Sequence, residues 1–288
     1  MARPIKTAII GIGRWGKNVA RELADQSALI AYASHGSGEN EAWAASSIPT
    51  AKKMTVEEIC ADKDIQAVAV ATPINTHAEI VRALLTAGKH VLCEKPLAED
   101  SATAFELSTL AQERGVNLVT GYVYLYHPAY QELKKRIAGK QISRIEFVWK
   151  KHGTFKETIQ LNLLTHHLAL ALDLVGKPES GKILRCEANV SACDIIEVQL
   201  TYPACEVTSL IDRVSQEKMH TMTVHAGSET FIWEGTQLRD ATGVFEHRDM
   251  PLELEVSAFL DVVEGGTVPQ TAGDFGARVL EIHEMLQK

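Results

Sequence analysis

No apolar run in this sequence approaches the roughly 20 residues that a membrane-spanning helix needs; residues 67–71 are typical of the longest. A membrane role is therefore not expected. The chain enters a strand-like pattern at Lys6 without an apolar leader, so no signal peptide is predicted. Cysteine is sparse: Cys60, Cys93, Cys186, Cys193 and Cys205 are odd in number and never spaced Cys-x-x-Cys. That argues against a disulfide framework or a zinc site and for a reducing cytoplasm. Excess positive charge is also missing. A net charge of -8 excludes a general nucleic-acid binder and leaves room only for a local basic pocket. With 45% hydrophobic and 23% charged residues over 288 positions, a folded chain of two domains is the expectation.

The chemistry is concentrated in a few short segments. The β-prone run 6–10 leads into Gly11-Ile12-Gly13-Arg14-Trp15-Gly16 and then into a helical stretch, 17–25. In that order the first glycine permits a tight turn, the second lets a pyrophosphate approach the backbone, and the third lets helix and strand pack closely. The free N–H groups of the helix start then face the anion. A dinucleotide fold usually ends its second strand, here 29–33, in an Asp or Glu that holds the ribose diol. This sequence has Ser34-His35-Gly36-Ser37 instead. Hydroxyls, His35 and Arg14 can accept a 2′-phosphate there, which favours NADP(H) over NAD(H); Glu39 or Glu41 folding back is the route to NAD(H).

Thr55 and Glu58 have the spacing of a capping box. A buried strand over 64–71 ends in Thr72-Pro73-Ile74-Asn75-Thr76-His77, followed by a helix over 78–87 that Gly88 closes. A further strand, 91–93, must break before Pro96, leaving Glu94-Lys95 at its C-terminal end. Alternating strands and helices predict a doubly wound parallel sheet, so Thr72, Pro73, Asn75, His77, Glu94 and Lys95 share one edge with the glycine turn. Taken singly, Asn75 and His77 read as capping residues; together they place polar groups beside a cofactor. Desolvation of Lys95 would suit it to donate or accept a proton.

These three motifs, in this order and spacing, resemble the Gfo/Idh/MocA family of NAD(P)-dependent oxidoreductases. The resemblance implies a nicotinamide cofactor over the first domain, with Lys95 near its ring and the substrate hydroxyl. The aromatic run Gly121-Tyr122-Val123-Tyr124-Leu125-Tyr126-His127-Pro128-Ala129 is similar to the crossover of members acting on nucleotide-linked sugars. It makes Tyr124, Tyr126 and His127 candidate substrate contacts, although packing is an equal use for any one ring. Lys151 is a candidate for an anionic substrate group or a solvated sheet face. A helix over 161–175 carries Asn162, His166, Ala169 and Asp173 on one face, while His167 points into the core. It resembles the family's Asp-x-x-x-His segment, with His166 at the catalytic position and Asn162 where the Asp stands. A carboxylate can share a proton with the imidazole; an amide can only hydrogen-bond.

From Lys182 onward the pattern is mainly β, with Gly227-Ser228-Glu229 as a hairpin turn and Thr221, Thr223 and His225 on alternate positions. The expected architecture is α/β: a Rossmann domain over 1–121 and an α+β domain over 122–288 with an open, mainly antiparallel sheet. By resemblance, the last helix, 274–287, packs back on the first domain, and the open sheet pairs subunits into a dimer or tetramer. The expected activity is hydride exchange between nicotinamide and a secondary alcohol or ketone of a sugar or nucleotide-linked sugar. Lys95 and His166 act as proton donor and acceptor, Asn162 positions His166 or the substrate, and no metal takes part. The alternatives are a reductase of a non-sugar C=O, C=C or C=N bond, such as an imine or tetrapyrrole, and an NAD(P)-sensing regulatory protein, for which Asn162 is the argument.

Overall fold

The computed structural model describes residues 5–36, 38–153, 157–247 and 250–287. It divides into two compact units, Met1–Tyr122 with Leu252–Ala277, and Val123–Pro251 with Arg278–Lys288. In the first unit the order is β1 (Lys6–Ile10), α1 (Gly16–Gln26), β2 (Ala28–Ala33), α2 (Gly38–Ser47), β3 (Lys52–Lys53), α3 (Val56–Ala61), β4 (Ala67–Val70), α4 (His77–Thr86), β5 (His90–Glu94), α5 (Ser101–Arg114) and β6 (Leu118–Gly121). The strands pair in parallel in the order β3-β2-β1-β4-β5-β6. Ala8, Ile9, Val68, Val91 and Val119 are fully buried, as strands covered on both faces require. Because β1 lies between β2 and β4, the chain reverses its direction of winding there, and the crevice at the strand ends is where such sheets take ligands.

The second unit contains α6 (Pro128–Ile137), β7 (Ile142–Lys150), α7 (Thr165–Val175), β8 (Ser180–Glu187), β9 (Ile195–Thr201), β10 (Glu206–Asp212), β11 (Met219–Ala226), β12 (Glu229–Glu234), β13 (Gln237–Asp240) and β14 (Gly243–Glu246). Its strands run β14-β13-β12-β11-β7-β10-β9-β8, antiparallel except for the β7–β10 pair. Alternation gives the sheet two unlike faces. Ile145, Phe147, Ser209, Met222 and Val224 are buried, whereas Glu146, Val148, Leu210, Thr221 and Thr223 stay partly exposed. The β11–β12 hairpin turns at Gly227, whose φ of 60° suits glycine.

Two sequence expectations change. Residues after Leu252 do not all belong to the second unit: α8 (Pro251–Val263) and the loop beyond it are built into the first. Leu252, Val256 and Phe259 bury there, Gln26 Nε2 donates to Glu253 O at 3.1 Å, and Asn117 Nδ2 donates to Val262 O at 3.1 Å. The last helix, α9 (Phe275–Met285), divides: Phe275 meets Tyr122 edge to face in the first unit, while Lys177 pairs with Glu281 in the second. The cysteine spacing argued against a disulfide framework; the antiparallel pairing of β8 and β9 nonetheless brings the sulfurs of Cys186 and Cys193, 7 positions apart, together across their connection.

The capping box is present. Glu58 N–H donates to Thr55 Oγ1 at 3.2 Å and Thr55 N–H to Glu58 Oε2 at 2.7 Å. Thr55→Ala is expected to lower stability by about 1 kcal/mol in denaturant unfolding. An unchanged midpoint would show that tertiary packing alone holds α3.

Candidate active site

At the strand-reversal point of the first unit, backbone approaches backbone. Gly11 has φ of 94°, and a Cβ there would lie 2.5 Å from Ala71 O; a Cβ on Gly16 would lie 1.9 Å from Gly11 O. Both positions are closed to any side chain. Gly13 is different: a Cβ there would meet no described atom within 4 Å, so the space above the turn is open. Helix α1, 11 residues long, starts beside it with no side-chain cap and no acid in its first turn. A helix start with no side-chain cap, an open turn and the exposed Arg14 fit a diphosphate.

Next to this turn lies a cavity of about 570 Å³ lined by Gly11, Ser34, His35, Lys53, Glu57 and Thr72, among others. Its size and place fit the adenosine half of a dinucleotide. Ser34 Oγ accepts from Gly36 N–H at 3.1 Å, His35 is exposed, and Lys53 pairs with Glu41, which therefore does not fold back onto Ser34. Ser37 lies outside the described residues.

Among the residues at the edge of β4 and β5, Thr72 accepts from Thr76 Oγ1 at 2.8 Å and Asn75 is exposed beyond the half-exposed turn. His77 is not beside open space as expected. It is 1% exposed, with Nδ1 2.8 Å from Pro96 O and Nε2 2.9 Å from Thr72 O, so both nitrogens are occupied by backbone and none is left for a cofactor. Lys95 and Glu94 are partly exposed at the end of β5. Trp15 Nε1 donates to Glu94 Oε1, which ties the glycine turn to this strand end. Burial raises the Glu94 carboxyl to about 7 against the lowering effects of the Trp15 bond and the Lys95 ammonium.

Sequence reasoning missed Glu255. It sits on α8 at 0% exposure, with neither carboxyl oxygen hydrogen-bonded among the described residues, and burial first and then the charge of Glu94 push its pKa well up. The signal was available: Leu252, Glu255, Val256 and Phe259 recur at helical spacing, which places Glu255 in the apolar stripe.

In the second unit, His166 is buried in the first turn of α7 with its ring 4.9 Å from that of Tyr124 and 5.8 Å from that of Trp149. Tyr124 also meets His220 at 5.0 Å and Trp233 at 6.1 Å. Rings of Tyr124, His127, His220 and Trp233, with Thr221 and Thr236, line a cavity of about 290 Å³. Burial lowers both His127 and His220 to about 4, so at neutral pH these imidazoles are uncharged. His127 Nδ1 also accepts Ala129 N–H at 3.1 Å, capping α6. Tyr126 is buried and Lys151 is exposed on its loop, while Lys150 pairs with Glu217.

Asn162 does not stand on a regular α-helix. Residues Gln160–Leu164 form a π-helical stretch in which Thr165 N–H reaches back to Gln160 O. The wider turn changes its phase, so the expected common face with His166 and Asp173 does not follow from α spacing. Asp173 is instead engaged by Tyr130 OH at 2.5 Å and Lys134 at 2.8 Å. His167 is the core residue expected, stacked on Phe147 with Nδ1 2.7 Å from Ser209 Oγ.

The buried carboxyls generate a pH prediction. Glu94 and Glu255 have folded pKa values above their unfolded ones, so their contribution is fully present below about pH 4.3 and lost as pH rises through the folded values. The neutral His127 and His220, lowered to about 4, act in the opposite direction until about pH 6.5, so the fall in melting temperature belongs to the range from about pH 6.5 to pH 8. Glu255→Gln should flatten that decline; an equal slope in the variant would show that Glu255 does not hold a proton in the fold.

Comparison with known proteins accords with this geometry. Residues 5–122 match the sequence profile of the oxidoreductase family with an NAD-binding Rossmann fold, GFO_IDH_MocA. UDP-N-acetylglucosamine 3-dehydrogenase of Acidithiobacillus ferrooxidans is 27% identical over 224 residues, 76% of this chain and 71% of that protein. Its crystal structure superposes with a TM-score of 0.92 at 24% identity, covering 100% of this chain and 97% of that one. Biliverdin reductase of Synechocystis sp. PCC 6803, solved with biliverdin and NADP+, shares the fold with a TM-score of 0.82 at 19% identity, covering 99% and 100%. The glycine turn, the strand order and these likenesses converge on the first unit: residues 5–122 match the Gfo/Idh/MocA oxidoreductase family with its NAD-binding Rossmann fold, and the whole chain shares the fold of the solved relatives.

Proposed function

We propose that this protein exchanges hydride between a nicotinamide dinucleotide and a secondary alcohol or ketone of a sugar or nucleotide-linked sugar, in the cytoplasm. The observation that carries this reading is the cavity of the second unit, lined by Tyr124, His127, His220 and Trp233 and by Thr221 and Thr236. Ring faces suit the C–H face of a sugar, and neutral imidazoles and hydroxyls suit its hydroxyl groups. A cavity of about 290 Å³ suits one ring better than an extended tetrapyrrole. The dehydrogenase acting on UDP-N-acetylglucosamine is the relative that favours the same substrate class.

The nicotinamide, when bound, takes or gives the hydride at the carbon that bears oxygen. The chain handles the proton: Lys95 and His166 are proposed as donor and acceptor at the hydroxyl oxygen, and Asn162 as a neutral partner that orients ligand or imidazole. Seating of the diphosphate falls to Gly13, Arg14, Trp15 and the start of α1. Thr72, Pro73 and Asn75 border the same edge. Tyr124, Tyr126 and His127 are proposed on the sugar side, with Lys151 for a nucleotide phosphate. The half-exposed sheet face bearing Val148, Leu210 and Thr223 is proposed to pair subunits.

NADP(H) is the proposed cofactor, since no carboxylate ends β2 and Ser34, His35 and Lys53 line the adenosine cavity; Glu57 lines it as well. Ser34→Asp should set a carboxylate against the 2′-phosphate and shift the ratio of NADPH to NADH affinity by about tenfold or more toward NADH. An unchanged ratio would move the discrimination elsewhere. For Lys95→Ala, the expected result is a nearly unaltered cofactor dissociation constant and a kcat lower by about 100-fold or more. Wild-type turnover in that variant would remove Lys95 from the chemistry.

A further inference from the structure

We infer that His77 is a buried imidazolium ion, protonated on both ring nitrogens, which locks the turn after β4 to the Lys95-Pro96 turn and so acts as a positioning residue for Lys95. The argument is one of donors and acceptors. Nδ1 lies 2.8 Å from Pro96 O and Nε2 lies 2.9 Å from Thr72 O, and the residue is 1% exposed. Both partners are backbone carbonyls, which can only accept. A neutral imidazole has a single N–H, so one of the two contacts would set a nitrogen lone pair against an oxygen lone pair. Turning the ring over about its axis does not help, since it replaces both nitrogens by carbons. Only the cation satisfies both oxygens at once, through charge-assisted bonds.

Two effects oppose the charge: burial, and the position of His77 as the first residue of α4, where the helix dipole disfavours a cation. The two carbonyl dipoles face the ring directly and offset both. The charged groups of the adjoining segments are Glu79 and Arg82 on α4 itself, Arg82 paired with Glu106 of α5, and Glu94 and Lys95 at the end of β5. The bonded carbonyls belong to Thr72, just before Pro73, and to Pro96, just after Lys95. Each turn is already stiffened by a proline ring, and the imidazolium is the cross-link between them. A uniform structural histidine would need only one such bond.

The charge state does not depend on the proposed reaction; the positioning role rests on the reading that Lys95 serves proton transfer. The test uses the full chain labelled with 15N-histidine, with His77 assigned by the signal lost in His77→Gln. Long-range 1H–15N spectra are expected to show both ring nitrogens of His77 at protonated shifts well above the ordinary histidine pKa of about 6.5. One nitrogen at an unprotonated shift in wild-type protein overturns the inference, and that readout needs no active variant and no substrate. In folded His77→Gln, kcat is expected to fall about tenfold or more with cofactor affinity retained. Wild-type kcat there overturns the positioning role, whereas failure of every sugar substrate faults the proposed function without touching the ring's protonation.

Discussion

The first unit depends on a close approach of backbone to backbone where β1 ends. With Gly11 against Ala71 O and Gly16 against Gly11 O, the turn can fold only because neither position carries a side chain. That packing brings the start of α1 to the strand ends with no side chain capping it. The same turn presents Gly13 to open space and sends Trp15 to the carboxyl of Glu94. An open glycine turn and a tether to the end of β5 thus come from one six-residue segment.

Charge is handled differently in the two units. Beneath the strand ends of the first lie ionisable groups that water does not reach freely: Glu255 without a hydrogen-bonding partner among the described residues, Glu94 raised to about 7, and His77 between two carbonyls. Such groups lower stability unless protonated or bonded, and proteins retain them where function uses them. The cavity of the second unit has titratable rings too, but burial keeps His127 and His220 neutral. One unit thus offers positioned charge, the other uncharged hydrogen-bonding groups and ring faces.

Much of this was legible in the sequence because it is written in local spacing. The glycine turn, the Thr55 capping box and the helix closed by Gly88 each depend on residues within a few positions of one another. What was not legible depends on partners far along the chain. Glu255 passed unnoticed and lies in the buried stripe of its helix; His77, read together with Asn75 as a polar group beside a cofactor, bridges residues 5 and 19 positions away. The π-helical stretch at Asn162 carries helix-forming residues and leaves no mark in composition, yet it alters which face that side chain takes. The short edge strands β13 and β14 were missed because four residues are too few for a periodic pattern.

The most direct test of the account is isotopic. NADPH deuterated at C4 of nicotinamide is incubated with the protein and a panel of keto-sugars and nucleotide-linked keto-sugars, and the products are weighed by mass spectrometry. The account predicts one deuterium on the new carbinol carbon, from one face of the nicotinamide only. Consumption of the cofactor with the label appearing in water, or transfer only to non-sugar acceptors, would contradict it.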